Sequence, residues 1–69
     1  MYVRHFRDAE STRRFLISDA TENGWVVQEE RDDAVVRSVV YTDWHRVERA
    51  RLLFVAESAR LRQAGWVEC

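Results

Sequence analysis

The sequence contains no proline, no lysine, two glycines and one cysteine. Without proline there is no rigid spacer, so a compact chain without linkers is expected. A lone Cys69 excludes an intrachain disulfide framework, and His5, His45 and Cys69 lack the clustered pairs of a zinc site, so neither metal nor cofactor is expected. A glycine-rich phosphate loop, a Gly-x-Ser-x-Gly elbow and a paired-cysteine motif are missing as well. Asp43 and His45 stand two apart on a helix and diverge, which makes a catalytic dyad a poor reading. The chain is therefore read as non-enzymatic. No apolar run approaches the ~20 residues of a membrane span, and no N-terminal apolar run with a basic flank marks a secretory leader. A cytoplasmic protein with no membrane partner is expected.

Charge of one sign is also lacking. The net charge of −1 gives no global positive field toward nucleic acid or an anionic membrane. Every basic residue other than the two histidines is arginine, which suits bidentate contact with carboxylate or phosphate. A GC-rich coding sequence produces the same bias, and that reading is preferred.

What is present is ordinary globular composition, 46% apolar and 33% charged over 69 residues, with neither disorder nor low complexity. Residues 1–69 form one small domain. A chain this short buries only about 60% of its unfolded surface. With no disulfide or metal to add stability, oligomerisation is the remaining source of buried apolar area.

The organising element is Thr42 to Trp66. Trp44, Val47, Ala50, Phe54, Ser58 and Leu61 recur every three or four residues, which places them on one helical stripe facing a core. Asp43, or Thr42 before it, caps the first turn, and Asp43 also meets the positive end of the helix dipole. Gly65 closes the helix in the left-handed conformation, and Trp66 packs back on Leu61 in a Schellman stop.

Four strands are expected before the helix. Met1 to Arg7 alternates Tyr2, Arg4 and Phe6 against Val3, His5 and Arg7, and reads as an edge. Thr12 to Ser18 sets Phe15 and Ile17 against Arg14 and Leu16. The segment Asp19 to Gly24 ends in Asn-Gly, a strong turn signal. Trp25 to Glu30 sets Trp25 and Val27 against Val26 and Gln28. Asp32-Asp33 makes a hairpin turn of open type, and Glu29, Glu30, Asp32 and Asp33 read as a solvated tip. Ala34 to Tyr41 is dense in valine on both faces and reads as a central strand, or one covered on both sides. The expected fold is α+β: a four-stranded antiparallel meander followed by one long C-terminal helix on one face, ββββα, as an oligomer.

One helix covers one face of a sheet. Leu16, Val26 and either Val36 with Val40 or Val35 with Val39 must point to the other. The helix carries a second apolar line, Leu52, Val55, Ala56 and Ala59, turned by over 90° from the Phe54 stripe. Contiguous apolar surface of this kind suggests another chain. The expected function is an interaction module that self-associates, or binds a heterologous protein, through these residues. Arg46, Arg49 and Arg60 on the helix flank, with Glu48 and Glu57 in reach, read as a solubilising face.

The alternative is single-stranded nucleic acid. Tyr2, Phe6, Trp25 and Tyr41, with Arg4, Arg13, Arg14 and Arg37, offer aromatic faces and guanidinium groups on strands; Arg14, Arg37, Tyr2 and Tyr41 are the candidate contacts. Trp44-His45-Arg46-Val47, with Gly65-Trp66 after the helix, resembles the Trp-Gly-Arg-Val signature and terminal Gly-aromatic of WGR domains, which are associated with nucleic acid. His45 replaces the glycine of that signature, and here the motif begins a helix instead of ending a strand. The ββββα order is similar to the repeat of Whirly-type single-strand binders, which assemble as oligomers.

Overall fold

The computed structural model describes residues 1–20 and 22–69. Thr21, inside the expected turn between the second and third strands, lies outside the described residues. The elements are β1 (Tyr2–Asp8), β2 (Ser11–Asp19), β3 (Trp25–Arg31), β4 (Ala34–Tyr41), α1 (Trp44–Gln63) and β5 (Val67–Glu68). Four antiparallel strands and one long helix form an α+β fold, and the short β5 completes a sheet of order β4-β3-β2-β1-β5.

Both helix ends are written locally. Asp43 has extended backbone, and its carboxylate accepts a hydrogen bond from the His45 N–H at 2.9 Å. At the other end Trp66 N–H donates to the Leu61 carbonyl at 2.9 Å and Gly65 N–H to the Arg62 carbonyl at 3.1 Å, the two bonds of a Schellman stop. Trp66 packs against the cluster of Phe6, Phe15 and Leu61.

The helix lies on the face carrying Tyr2, Phe6, Phe15, Ile17 and Val27, which meet Val47, Phe54 and Leu61 from α1. Phe54 stacks on Phe15 at 4.8 Å between centroids and on Tyr2 at 6.2 Å. Ser58, on the same stripe of the helix, is fully buried. Trp44 departs from the expected stripe: it is exposed at the start of the helix, its ring edge-on to Trp25 at 5.0 Å.

Two strand positions correct the sequence reading. β1 is not an edge: the helix returns the chain beside it, where Phe6 and Arg7 pair with Glu68 and Val67. Arg4 clamps this junction with two hydrogen bonds to the Glu68 carboxylate, at 2.9 and 2.6 Å. β4, despite its valines, is not central but the opposite edge. A meander adds strands one at a time, so its last strand is flanked on one side only unless the chain crosses over.

β4 also carries a bulge. Arg37 pairs with Glu29 but Val35 with Glu30, leaving Val36 as the extra residue. The bulge breaks simple alternation. Val39 falls opposite buried Val27 on the helix side, while Val40 and, beyond the bulge, Val35 fall on the open side.

Nor is the acidic hairpin a merely solvated tip. Glu29 and Glu30 lie within β3, half-buried, and pair with Arg13 at 2.7 Å and Arg14 at 3.6 Å. Asp32 Oδ1 accepts from Thr12 N–H at 2.9 Å, tying the turn to β2. Asp32 and Asp33 both take positive φ, 53° and 66°, and Arg31 pairs with Ala34 across them, as a two-residue type I′ turn requires. Asp33→Gly removes the left-handed penalty and leaves the Asp32 bond intact. It should stabilise the fold by about 0.5–1 kcal/mol, raising the melting temperature by about 2–8 °C in a domain of this size, as read by thermal denaturation followed by circular dichroism.

Candidate functional site

The helix covers the middle of the sheet and leaves a cleft of about 520 Å³ against the β3–β4 hairpin. Its sheet wall includes Phe15, Val27, Glu29, Arg37 and Tyr41; its helix wall includes Arg46, Arg49, Ala50, Leu53, Phe54 and Glu57. Positions 46, 50, 53 and 57 recur at three and four, so one flank of α1 necessarily lines one side. Tyr41 and Arg37 reach the cleft because they share the helix-facing side of β4 with Val39, set by pairing to Trp25 and Glu29.

The electrostatics divide the cleft. Arg13 is buried among acids, bonded to Glu29 at 2.7 Å and lying 3.9 Å from Glu57, with its guanidinium over the Phe15 ring at 5.3 Å. Glu57 is also bonded to Arg60, and that hydrogen bond chiefly holds its carboxyl below the ordinary value, against the opposing effect of burial. Both carboxylates of the cleft are thus ion-pair partners.

The remaining arginines behave differently. Seven of the chain's eleven arginines form ion pairs: Arg4, Arg13, Arg14, Arg31, Arg51, Arg60 and Arg62. Of the four without a carboxylate partner among the described residues, Arg37, Arg46 and Arg49 all line this cleft. The expected solubilising face therefore holds only in part: Arg51 pairs with Glu48 and Arg60 with Glu57, while Arg46 and Arg49 face open space.

The chain matches no protein-family model, and no curated protein or solved structure matches it at a significant level. What the cleft does must be read from its own residues.

The residues proposed for single-strand binding do not form one platform. Arg37 and Tyr41 line the cleft, but Tyr2 stacks on Phe54 with its hydroxyl buried, and Arg14 lies on the opposite sheet face paired with Glu30. Trp44-His45-Arg46-Val47 opens the helix, with Val47 in the core and Arg46 on the cleft wall. Sequence reasoning missed Arg46, Arg49 and Leu53 as a group. Their spacing was visible, yet nothing local shows that the acids in reach are engaged elsewhere.

The apolar candidates separate as well. Leu16 and Val26 lie on the open sheet face, where Val3 stands opposite Leu16 and Val40 opposite Val26. Leu16 and Val26 are diagonal neighbours across β2 and β3, so Val3, Leu16, Val26 and Val40 form one apolar line crossing four strands. Val3 and Val40 are 52% and 58% exposed. Leu52, Val55, Ala56 and Ala59 form a separate stripe on the helix, turned away from the sheet, with Leu52 and Val55 exposed. Among the described residues no group of three or more His, Cys, Asp or Glu is placed to hold a metal, and no helix is long and apolar enough to cross a membrane.

Proposed function

We propose that this chain is a non-enzymatic cytoplasmic interaction module that self-associates through the open face of its sheet. The observation that carries this reading is the apolar line Val3–Leu16–Val26–Val40, which no element among the described residues covers. Two such faces packed back to back reproduce sheet-on-sheet packing, with layers about 10 Å apart.

A second copy suits the face better than a charged partner does. The polar groups beside the line on β2 and β3 are matched within the chain: Arg14 pairs with Glu30, and Gln28 Nε2 donates to Glu30 at 2.8 Å. The one arginine of this face with no carboxylate partner among the described residues, Arg7, lies at the far end of β1 from Val3. The domain also has much to gain, since the buried apolar side chains among the described residues are Phe6, Phe15, Ile17, Val27, Val47 and Leu61. Cores of this size supply only ~3–5 kcal/mol. The lone exposed Cys69 fits a reducing compartment. The helix stripe points away from the sheet and takes no part in the same two-fold contact.

The test is molar mass by light scattering over a wide concentration range, for the native chain and for Val40→Glu with Val3→Glu. Both valines are exposed in the single chain, so the fold should survive their replacement. The native chain is expected to be a dimer, and the double variant to dissociate about 100-fold more readily, an effect of ~2.8 kcal/mol. A native chain that stays monomeric at high concentration, or a variant that associates equally well, refutes this interface.

A further inference from the structure

We infer that the cleft between α1 and the β3–β4 hairpin is a binding site for a small aromatic phosphate of mononucleotide size. The inference is independent of the open sheet face, which lies on the other side of the sheet.

Charge is the first argument. Three arginines with no carboxylate partner among the described residues line the cleft from two walls, Arg46 and Arg49 from the helix and Arg37 from the sheet, where it stands across from Glu29. Counted over the whole lining, four arginines face two glutamates, an excess of two positive charges in a chain whose net charge is −1. Like charges gather in this way at a cost unless an anion joins them. A phosphate dianion matches the excess, and its oxygens accept the forked donors that arginine presents.

Shape is the second. A volume of about 520 Å³ falls within the range of small-molecule sites. The apolar lining offers one aromatic face for stacking. Phe15 and Phe54 are stacked on each other, whereas the Tyr41 ring stacks on no other aromatic among the described residues. Leu53, 65% exposed, lines the opposing wall. A flat ring inserted between Tyr41 and Leu53 buries apolar surface on both sides, with its phosphate within reach of Arg46 and Arg49.

The same geometry favours a single nucleotide over a strand. Glu57 stands eleven residues beyond Arg46 on the helix, about 16 Å along its axis, and Glu29 faces it from β3. A continuous phosphodiester backbone following the cleft runs into these carboxylates. One phosphate lodged between Arg46 and Arg49, toward the start of the helix, does not.

The experiment titrates the native chain, uniformly labelled with nitrogen-15, with adenosine 5′-monophosphate, adenosine, inorganic phosphate and a short oligodeoxyadenylate. The side-chain Nε–Hε signals of Arg37, Arg46 and Arg49 and the amides of Tyr41 and Leu53 are followed. Adenosine monophosphate should shift these signals together and bind at least about tenfold more tightly than adenosine or phosphate alone, since both halves of the site are then engaged. Arg46→Gln with Arg49→Gln, neither of which breaks an ion pair, should weaken that binding by at least about tenfold while leaving the melting temperature unchanged. Leu53→Ser should weaken adenosine monophosphate but not inorganic phosphate. Absence of binding, shifts elsewhere, or a double variant that binds normally overturns the site. Oligodeoxyadenylate binding far more tightly than the mononucleotide, with a steep salt dependence, overturns the small-ligand assignment in favour of a strand.

Discussion

Replacing Gly24 by alanine should remove most of the stability of this domain, whereas the same change at Gly65 should cost far less. The two glycines have similar backbone conformations, φ +112° and +100°. Each carries the conformational penalty of an L-residue at positive φ, about 1–2 kcal/mol. Their surroundings differ. A Cβ on Gly24 would stand 2.4 Å from the Tyr41 carbonyl oxygen, while one on Gly65 meets nothing within 4 Å. The Tyr41 carbonyl belongs to backbone, and β4 is held at that point by pairing of Tyr41 with Trp25, so the oxygen cannot swing aside as a side chain would. Relief requires the end of β4 to separate from β3, with loss of ladder hydrogen bonds. The expected destabilisation is ~3 kcal/mol or more for Gly24→Ala, in the range reserved for named steric faults, against about 1–2 kcal/mol for Gly65→Ala. Urea titration of both variants measures the difference directly. Equal losses would show that the close approach to Tyr41 does not exist.

Phe15→Ala is the second large effect. Phe15 is 1% exposed and occupies the centre of the layer, stacked on Phe54 at 4.8 Å, tilted against Phe6 at 6.1 Å and capped by the Arg13 guanidinium. Truncation to alanine deletes a ring that α1 and β1 pack against and should cost about 3–5 kcal/mol. That equals the stability a core of this size provides. The variant should therefore lack a cooperative thermal transition at room temperature and above, and Phe15→Leu, which keeps most of the volume, should retain one at a lower temperature. Arg13 adds a second consequence. Its guanidinium is held between the Phe15 ring and Glu29, so in Phe15→Leu it loses one side of its support, and the cleft wall should loosen before the sheet does. Hydrogen exchange at β2 and β3 amides reads that order.

Much of the fold was legible because the signals that specify it are local. Asp43, Gly65 and Trp66 bracket the helix with bonds to residues no more than five positions away. Phe15 and Ile17 alternate with Arg14 and Leu16, and that alternation alone placed them on the buried side. Asp32-Asp33 was legible as a turn, although its type was not, since nothing in a pair of aspartates forces both into positive φ. The positions of β1 and β4 were misread for a common reason. Valine density in β4 reports β-propensity, whereas burial depends on whether another strand lies alongside, and that was settled by where the helix returned the chain. Val36 gave no sign of being the extra residue of a bulge, so the facing of its neighbours stayed open.

The candidate site shows the same division. Leu16 and Val26 were readable as open-face residues by alternation, but their junction with Val3 and Val40 into one line depends on the register of three strand pairs. Arg37 and Tyr41 were readable as strand residues bearing useful chemistry, and Tyr2 and Arg14 looked equivalent to them. Packing then sent Tyr2 beneath the helix and Arg14 to the far face. Arg46 and Arg49 were visible as a helical pair without any indication that they lack partners, because a free charge is defined by the absence of neighbours and the neighbours come from other elements. By itself the sequence determined the four strands, the helix, its caps and the apolar stripe that seats it, since each rests on residues within a turn or a strand of one another. Only the tertiary structure decided which strands form the edges, which valines face outward and which arginines line the cleft, because those depend on contacts between residues far apart in the chain.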